Sequence, residues 1–467
     1  MQVPGDVFRA YDIRGVAPRD LTPAFAEGLG RAVGTYVRRG GGGRIVVGRD
    51  CRHSGEALEG GLVRGLMAAG CSVLQLGVVP TPSCYWAIEH FGSDGGVQIT
   101  GSHNPPEYNG FKLTLLGRSL HGEDLQRLRR LMETDDCLAG AGTREETFLI
   151  PAYVEALAQN LHRARRPLRV VVDAGNGTGG IAAVPLYEKL GFEVVPLFCD
   201  LDGAFPNHHP DPTVEGNLIS LKRLVLERGA DVGLAFDGDA DRLGVIDDRG
   251  NVVRSDRLMI LFSRAVLAEV PGATIIAEVK CSKTLYDDIA KNGGRGIMWK
   301  AGHSLIKAKM VEVNAALAGE MSGHIFFKHR YHGFDDAIYA GGRLLELLSE
   351  SGGSMSDLLR DVPSTIATDE IRVPCAEEHK FEVARRVVER FEEGAAAGGY
   401  TVITIDGARV EWPDGWGVIR PSNTTPILVL RFEAQSDARL RALQALFAAE
   451  IERAKASLAL VAFSPSS

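Results

Sequence analysis

Apolar residues recur every four positions at Leu21, Phe25, Leu29, Val33 and Val37, so they line one face of a helix. Thr22 before Pro23 is placed to start it. The period then shortens. Ile45 to Val47 reads as a strand, followed by Gly48-Arg49-Asp50, a helix carrying Leu58, Leu62 and Leu66, and a second strand at Val73 to Leu76. The same order returns twice. Val170 to Val172 leads through Asp173-Ala174-Gly175-Asn176-Gly177 and a helix to Leu190 into Phe192 to Val195. Ile275-Ile276 leads through Glu278-Val279-Lys280-Cys281-Ser282 and a helix from near Lys283 into Gly296-Ile297-Met298. Strands alternating with helices predict mixed or parallel α/β domains, and three such stretches predict three related ones in series.

After Pro363 the pattern changes. Ile371 to Val373 reads as a strand and Phe381 to Phe391 as a helix. Short strands around Val402, Val410, Val418 and Ile427 precede a helix from Asp437 to Ala456. Strands grouped between helices predict a smaller α+β fourth domain. The expected partition is 1–147, 148–250, 251–364 and 365–467, which suits 467 residues at about 150 per domain. Gly40 to Gly43 and Gly394 to Gly399 read as loops. The uncharged run between Arg64 and Glu89 is long enough to span a membrane. It is broken by Gly70, Gln75, Gly77 and Pro80-Thr81-Pro82, so a helix, turn, strand and loop fit it better.

Composition narrows the partners. Apolar residues make up 45% and charged residues 24%, an ordinary globular balance. The net charge of -8 comes without a basic stripe, which argues against nucleic acid. A few convergent cations still suffice for an anionic substrate. The seven cysteines (Cys51, Cys71, Cys84, Cys137, Cys199, Cys281 and Cys375) contain no C-x-x-C pair. They read as thiols in a reducing compartment. The N-terminus runs straight into Asp6, Arg9, Asp12 and Arg14 with no apolar signal stretch, so a cytoplasmic protein is expected.

Four motifs carry candidate chemistry. Thr100-Gly101-Ser102-His103-Asn104-Pro105-Pro106-Glu107-Tyr108-Asn109-Gly110-Phe111-Lys112 follows the apolar strand Val97 to Ile99. Its prolines fix φ and remove donors, so the loop is stiff and can hold one hydroxyl in place. Lys112 returns near it to neutralise a phosphate or move a proton. A proline-rich turn with a capping serine is the plain alternative. Asp237-Gly238-Asp239-Ala240-Asp241-Arg242 follows the strand Val232 to Phe236. Its alternating carboxylates can turn toward one hard cation, Mg²⁺ or Ca²⁺. Arg242 beside them can bind a phosphate or hold a proton. An EF-hand-like loop would place glycine where Arg242 stands, and a solvated acidic turn is the third reading. Gly319-Glu320-Met321-Ser322-Gly323-His324 suits recognition of sugar hydroxyls, or is a turn between strands. Arg420-Pro421-Ser422-Asn423-Thr424-Thr425 opens a run of donors with arginine and suits a phosphate, or is a surface turn. Lys280 and His303 stand alone and read equally as capping or exposed residues. Together, a hydroxyl nucleophile, a carboxylate metal site, a sugar loop and a phosphate cradle are the parts of phosphoryl transfer on a sugar phosphate.

From Phe8-Arg9-Ala10-Tyr11-Asp12-Ile13-Arg14-Gly15 to the loop at Arg420, the order and separation of these motifs resemble the α-D-phosphohexomutase superfamily, and within it the bacterial phosphomannomutase/phosphoglucomutase group. The resemblance implies four domains around a central cleft, the first three sharing one α/β topology. It implies a phosphorylated Ser102, with Mg²⁺ held by Asp237, Asp239, Asp241 and a phosphate oxygen on Ser102. The phosphoryl group passes to the substrate, and the hexose 1,6-bisphosphate so formed turns over and returns its other phosphoryl group; the free bisphosphate is the expected activator. Glu320 and Ser322 would read the shared hydroxyls. Arg420, Ser422, Asn423 and Thr424 would hold the non-reacting phosphate, with Tyr11, Arg14, His103 and Lys280 also binding substrate. Lys112, Arg242, His303 and His324 match positions near the reacting groups, with the general acid and base left open among them. A monomer or weak homodimer that takes hexose phosphates, and neither nucleic acid nor membrane, is expected. Met321, and Gly101 before the serine, resemble the mannose/glucose enzymes; phosphoglucosamine stays open as the sugar. A metal-dependent phosphatase, a sugar-phosphate sensor and a calcium-binding module are the rival readings.

Overall fold

Strand β1 (Ile13–Val16) leads into helix α1 (Pro23–Arg39), which starts where Thr22 Oγ1 accepts a hydrogen bond from Phe25 N at 3.1 Å. Pro23 opens the helix, where its missing N–H leaves nothing unpaired. Phe25, Leu29, Val33 and Val37 are buried, as their spacing demands. The structure is a computed structural model and describes residues 3–422 and 426–462.

The first domain continues through β2 (Arg44–Arg49), α2 (Gly55–Ala68), β3 (Ser72–Val78), α3 (Thr81–His90), β4 (Gly95–Ile99) and β5 (Tyr108–Leu115). Strand β6 (Arg118–Ser119), α4 (Glu123–Thr134) and β7 (Arg144–Glu146) complete it. The second domain contains α5 (Ile150–Gln159), β8 (Arg169–Asp173), α6 (Gly180–Leu190), β9 (Glu193–Leu197), α7 (Ile219–Arg228), β10 (Val232–Phe236), β11 (Leu243–Asp247) and β12 (Val252–Val253). The third contains α8 (Ser255–Glu269), β13 (Thr274–Glu278), α9 (Lys283–Lys291), β14 (Arg295–Trp299), α10 (His303–Val313), β15 (Leu317–Gly319), β16 (Ile325–Phe327) and α11 (Ala337–Glu350).

These three domains repeat one arrangement. The sheets run β1-β5-β4-β2-β3-β7, β12-β11-β10-β8-β9 and β14-β13-β15-β16. Each therefore holds four strands in the order fourth-third-first-second. β2 is parallel to β3 and β4, and β8 to β9 and β10. The fourth strand returns antiparallel in each case: β5 on β4, β11 on β10, β16 on β15. The turn from third to fourth strand is the Ser102 loop in the first sheet, the Asp237–Arg242 loop in the second and the Glu320–His324 loop in the third. In the first two sheets these turns leave the carboxyl end of a strand in the parallel core, where α/β folds place their ligands.

The fourth domain holds β17 (Ile366–Ala367), β18 (Ile371–Pro374), α12 (Lys380–Gly398), β19 (Thr401–Ile403), β20 (Ala408–Trp412), β21 (Gly415–Pro421), β22 (Ile427–Ala434) and α13 (Asp437–Ala462). Its sheet runs β17-β22-β21-β20-β19, with β18 also on β22, and its strand pairs are antiparallel. Val383, Val387 and Phe391 of α12 pack with Leu443, Phe447 and Ile451 of α13 in one apolar core.

Two expectations fail. Gly394 to Gly398 is helix, not loop; Ala395-Ala396-Ala397 carries α12 through, and the stop is Gly399 at φ +62°. The segment after Val79 is not loop either, since α3 begins at Thr81 with Pro82 in its first turn. Two compact units emerge from the packing. The first comprises the chain up to Ile276, Asp288–Gly296 and Gly302–Arg360; the second comprises Ala277–Asp287, Ile297–Ala301 and the chain from Asp361 onward.

Candidate active site

In the first unit, Ser102 takes φ +50°, a left-handed turn that a serine adopts only when its surroundings hold it there. Its N–H donates to Thr100 Oγ1 at 2.8 Å, and its hydroxyl donates to Asp237 Oδ2 at 2.8 Å. His103 Nδ1 lies 3.2 Å from the same hydroxyl. Burial, with Arg242 and Arg14 nearby, holds His103 well below the usual histidine range, so its ring is neutral. Arg14 of β1 reaches the same loop, donating to Asn104 Oδ1 at 3.3 Å and to Asp12 Oδ2 at 2.5 Å.

Asp237, Asp239 and Asp241 are fully buried, and an oxygen from each converges within 4.8 Å of the others. Ala240 at φ +59° turns the chain between them. Gly238 lets this loop meet the serine loop, because a Cβ there would stand 2.6 Å from Ser102 O. Asp237 Oδ1 accepts from the N–H groups of Asp241 and Arg242, both at 3.1 Å. Asp239 Oδ2 accepts from Thr81 Oγ1 at 2.5 Å and from Lys112 Nζ at 2.6 Å; Lys112 also pairs with Asp241. Arg242 Nε lies 4.0 Å from Asp237 Oδ2.

Burial, with Asp239 and Asp241 beside it, pushes the Asp237 carboxyl well above the carboxylate range. Burial opposes charge on Asp241 too, but Lys112, His324 and Arg242 outweigh it and hold that group well below. Burial likewise disfavours the Lys112 ammonium, but the three aspartates raise it, so it stays charged. Asp239 Oδ1 is buried and accepts no hydrogen bond, and Asp241 Oδ1 has the His324 ring nitrogen at 3.2 Å. Hard oxygen donors left in this condition fit a divalent cation such as Mg²⁺.

The third loop joins the second through a backbone bridge between Arg242 and His324, with Leu243 N donating to Gly323 O at 3.0 Å. His324 Nδ1 lies 2.9 Å from Ser322 Oγ and 3.0 Å from Glu320 Oε2, while Nε2 faces Asp241. Burial opposes the imidazolium, but Asp241 and Glu320 outweigh it and lift His324 to about 9. Glu320 Oε1 accepts from Gly302 N at 2.6 Å. Burial and Lys307 lower His303, whose ring lies edge-on to Tyr11 with centroids 6.3 Å apart.

The second unit holds Lys280, Arg420 and Ser422. Lys280 is buried rather than exposed: Nζ donates to Glu370 Oε2 at 2.8 Å and lies 3.5 Å from Glu278. Arg420 Nε donates to Asp406 Oδ2 at 2.8 Å, and Asp406 also accepts from Ala301 N at 3.1 Å. Ser422 N donates to Ile427 O at 3.0 Å. Asn423 and Thr424 lie outside the described residues.

Several residues that sequence reasoning passed over serve this architecture. Asp335 Oδ1 accepts from Lys307 Nζ at 2.9 Å, and its Oδ2 lies 3.4 Å from His303 Nδ1. Thr81 ties α3 to the acidic loop. Arg409 Nη1 donates to the carbonyls of Val279 and Cys281, both at 2.6 Å, and so shapes the segment carrying Lys280. Arg52 fills the serine loop from behind. None sits in a motif; the one signal was Asp335-Asp336, a charged pair between Phe334 and an apolar helix.

Comparison with known proteins follows the same division. Residues 5–138, 151–250 and 254–366 match alpha/beta/alpha domains I, II and III of phosphoglucomutase/phosphomannomutase, and residues 370–450 match its C-terminal domain. The chain is 46% identical over 458 residues to phosphomannomutase/phosphoglucomutase of Pseudomonas putida, covering 98% of each. It is 46% identical over 450 residues to phosphoglucomutase of Neisseria gonorrhoeae, covering 96% of this chain and 97% of that one. A phosphoglucomutase/phosphomannomutase family protein from Burkholderia thailandensis superposes with a TM-score of 0.91 at 44% identity, over 97% of this chain and 98% of that one. With every domain matched in order and these relatives alike over nearly their whole length, the chain belongs to the phosphoglucomutase/phosphomannomutase family.

Proposed function

We propose that this protein is a phosphohexomutase that interconverts hexose 1-phosphates and hexose 6-phosphates, of mannose and glucose, through a phosphoserine at Ser102 and a hexose 1,6-bisphosphate. The observation that carries it is the hydroxyl of Ser102, held 2.8 Å from Asp237 in a buried acidic triad flanked by Lys112 and Arg242. Likeness over nearly the whole chain to relatives named phosphomannomutase/phosphoglucomutase supports the same reading. Gly101 and Met321 resemble the mannose and glucose enzymes rather than those of glucosamine.

Asp237, Asp239 and Asp241 would hold Mg²⁺, together with a phosphate oxygen on Ser102. When bound, the cation offsets charge on the transferring phosphoryl group. Lys112 and Arg242 stay cationic and stabilise the same charge from the protein side. Phospho-Ser102 passes its phosphoryl group to the free hydroxyl of the sugar phosphate, and that hydroxyl gives up its proton. His303, held neutral, is fit to accept it; the Ser102 oxygen released from phosphorus takes up a proton of the kind that His324, held cationic, is fit to donate. The bisphosphate turns and returns its other phosphoryl group to Ser102. Glu320 and Ser322 read the hydroxyls common to both orientations. Tyr11, Arg14, His103 and Lys280 bind substrate, and Arg420, Ser422, Asn423 and Thr424 hold the phosphate that does not react. Hexose 1,6-bisphosphate reloads any enzyme that has lost its phosphoryl group. We place the protein in the cytoplasm, as its seven free thiols favour.

Phosphorus NMR tests this reading. The protein is given Mg²⁺ and trace hexose 1,6-bisphosphate, with mannose 1-phosphate, glucose 1-phosphate or glucosamine 6-phosphate in separate tubes. Exchange between 1- and 6-phosphates of mannose or glucose is expected. Release of inorganic phosphate instead would make the protein a phosphatase, and fastest exchange with glucosamine would overturn the sugar assignment.

A further inference from the structure

Arg52 stands between β2 and α2, its side chain fully buried. An arginine has five N–H donors in a rigid fork, and here each one is used. Nε donates to Asp50 Oδ2 at 3.1 Å. Nη1 donates to Pro105 O at 2.5 Å and Tyr108 O at 3.0 Å, and Nη2 to Ser102 O at 2.7 Å and Asn104 O at 2.6 Å. The guanidinium thus gathers four carbonyls of the serine loop on one side. Asp50 anchors it and binds the strand leading in, accepting from Thr100 Oγ1 at 2.7 Å and Gly101 N at 3.1 Å. The Phe205 ring covers the guanidinium, with Cζ 4.9 Å from its centroid. Gly101 belongs to the same device: a Cβ there would stand 2.5 Å from Arg52 Cζ and 2.8 Å from Tyr108 O.

With its carbonyls turned toward Arg52, the loop presents the Ser102 hydroxyl to Asp237. We infer that Arg52, seated against Gly101, is a positioning residue for phosphoryl transfer: it holds the carbonyl of Ser102 and thereby aims the Ser102 oxygen along the line of transfer. The inference rests on Ser102 being the phosphoryl carrier proposed above. Arg52 has no open surface to offer a substrate, so its removal should change the rate of transfer and not the affinity for sugar phosphate. Small misplacements of a reacting atom cost about 100-fold in rate.

The test uses the full-length protein with Mg²⁺, loaded by glucose 1,6-bisphosphate. Mass spectrometry counts phosphoserine at residue 102, and quenched flow follows one transfer to glucose 1-phosphate per phosphorylated molecule. Arg52→Lys keeps the charge but loses the fork; Gly101→Ala pushes a methyl group into Arg52. Each is expected to slow single-turnover transfer by about 100-fold while KM stays within about twofold. The double variant should be no slower than the slower single, since both break one device. A phosphorylated, folded Arg52→Lys protein that transfers at wild-type rate would overturn the inference, and so would multiplying losses in the double variant. If Arg52→Lys does not fold, Gly101→Ala decides alone by the same rate criterion. Wild-type protein that carries no phosphoryl group on Ser102 would sink the carrier reading and this inference with it, an outcome distinct from a phosphorylated wild type matched by its variants.

Discussion

Lys112 Nζ sits between Asp239 and Asp241, so the buried triad depends on it whenever the cation is absent. Removing one partner of a buried ion pair leaves uncompensated charge and costs about 3–5 kcal/mol. Lys112→Met is therefore expected to lower the urea midpoint strongly in chelator, with Mg²⁺ recovering part of the loss; an unchanged midpoint in chelator would contradict the pairing. On the proposed metal site, Asp239→Asn should weaken Mg²⁺ binding in calorimetry by about tenfold or more, since it replaces a buried carboxylate oxygen by an amide. Ser102→Ala should lower turnover by orders of magnitude, and full mutase activity in that variant would end the phosphoserine proposal. Away from the site, His208 Nε2 lies 3.1 Å from both oxygens of Asp173. Burial opposes its charge, but the hydrogen bond and attraction to Asp173 raise it above 6.5. A raised histidine stabilises the fold below its unfolded value and loses that contribution as pH climbs through the folded one. The stability gap between wild type and His208→Gln should accordingly shrink from pH 6 to pH 9, and a gap constant with pH would contradict this. Of the site residues proposed here, Ser102, Asp237, Asp239 and Asp241 were legible as candidates because they sit in motifs. Arg52, Thr81 and Asp335 were not, because each acts on a segment far away in the chain.

Helix α1 illustrates what periodicity conveys. Its apolar stripe and its cap at Thr22 stand in the chain as read, because both depend on neighbours within a turn or two. Leu29 is fully buried in that stripe. Leu29→Ala is expected to cost about 2–5 kcal/mol in chemical denaturation while leaving KM unchanged; a shift in KM at full stability would show that α1 does more than fill the core. The failures share one cause. Glycines within α12 and prolines around Thr81 have the pattern of breaks, yet each break residue is tolerated at particular helix positions. Pro82 lies in a first turn, and Gly398 ends a helix whose αL residue is Gly399. Composition alone does not say which position a residue will occupy.

At the scale of the molecule, three sheets repeat one strand order and place the loops that carry the candidate motifs at one turn, while the fourth domain is antiparallel with its own core. Separate compact units predict unfolding in more than one step. Of the four tryptophans, Trp299, Trp412 and Trp416 belong to the second unit and Trp86 to the first. Tryptophan fluorescence should therefore follow the second unit while far-ultraviolet circular dichroism follows chiefly the first, and the two urea curves should not coincide; superimposable curves would mean one cooperative unit. The sequence by itself determined the alternation of strands and helices, the fourfold division and which residues are candidates for the nucleophile and acidic ligands, since these are written in local period and short motifs. Tertiary structure alone decided the charge each group carries and what holds the serine loop. A lysine between two aspartates, a histidine between Glu320 and Asp241, and an arginine gathering four carbonyls are set by burial and by distances between residues remote in the chain. Local pattern contains neither quantity.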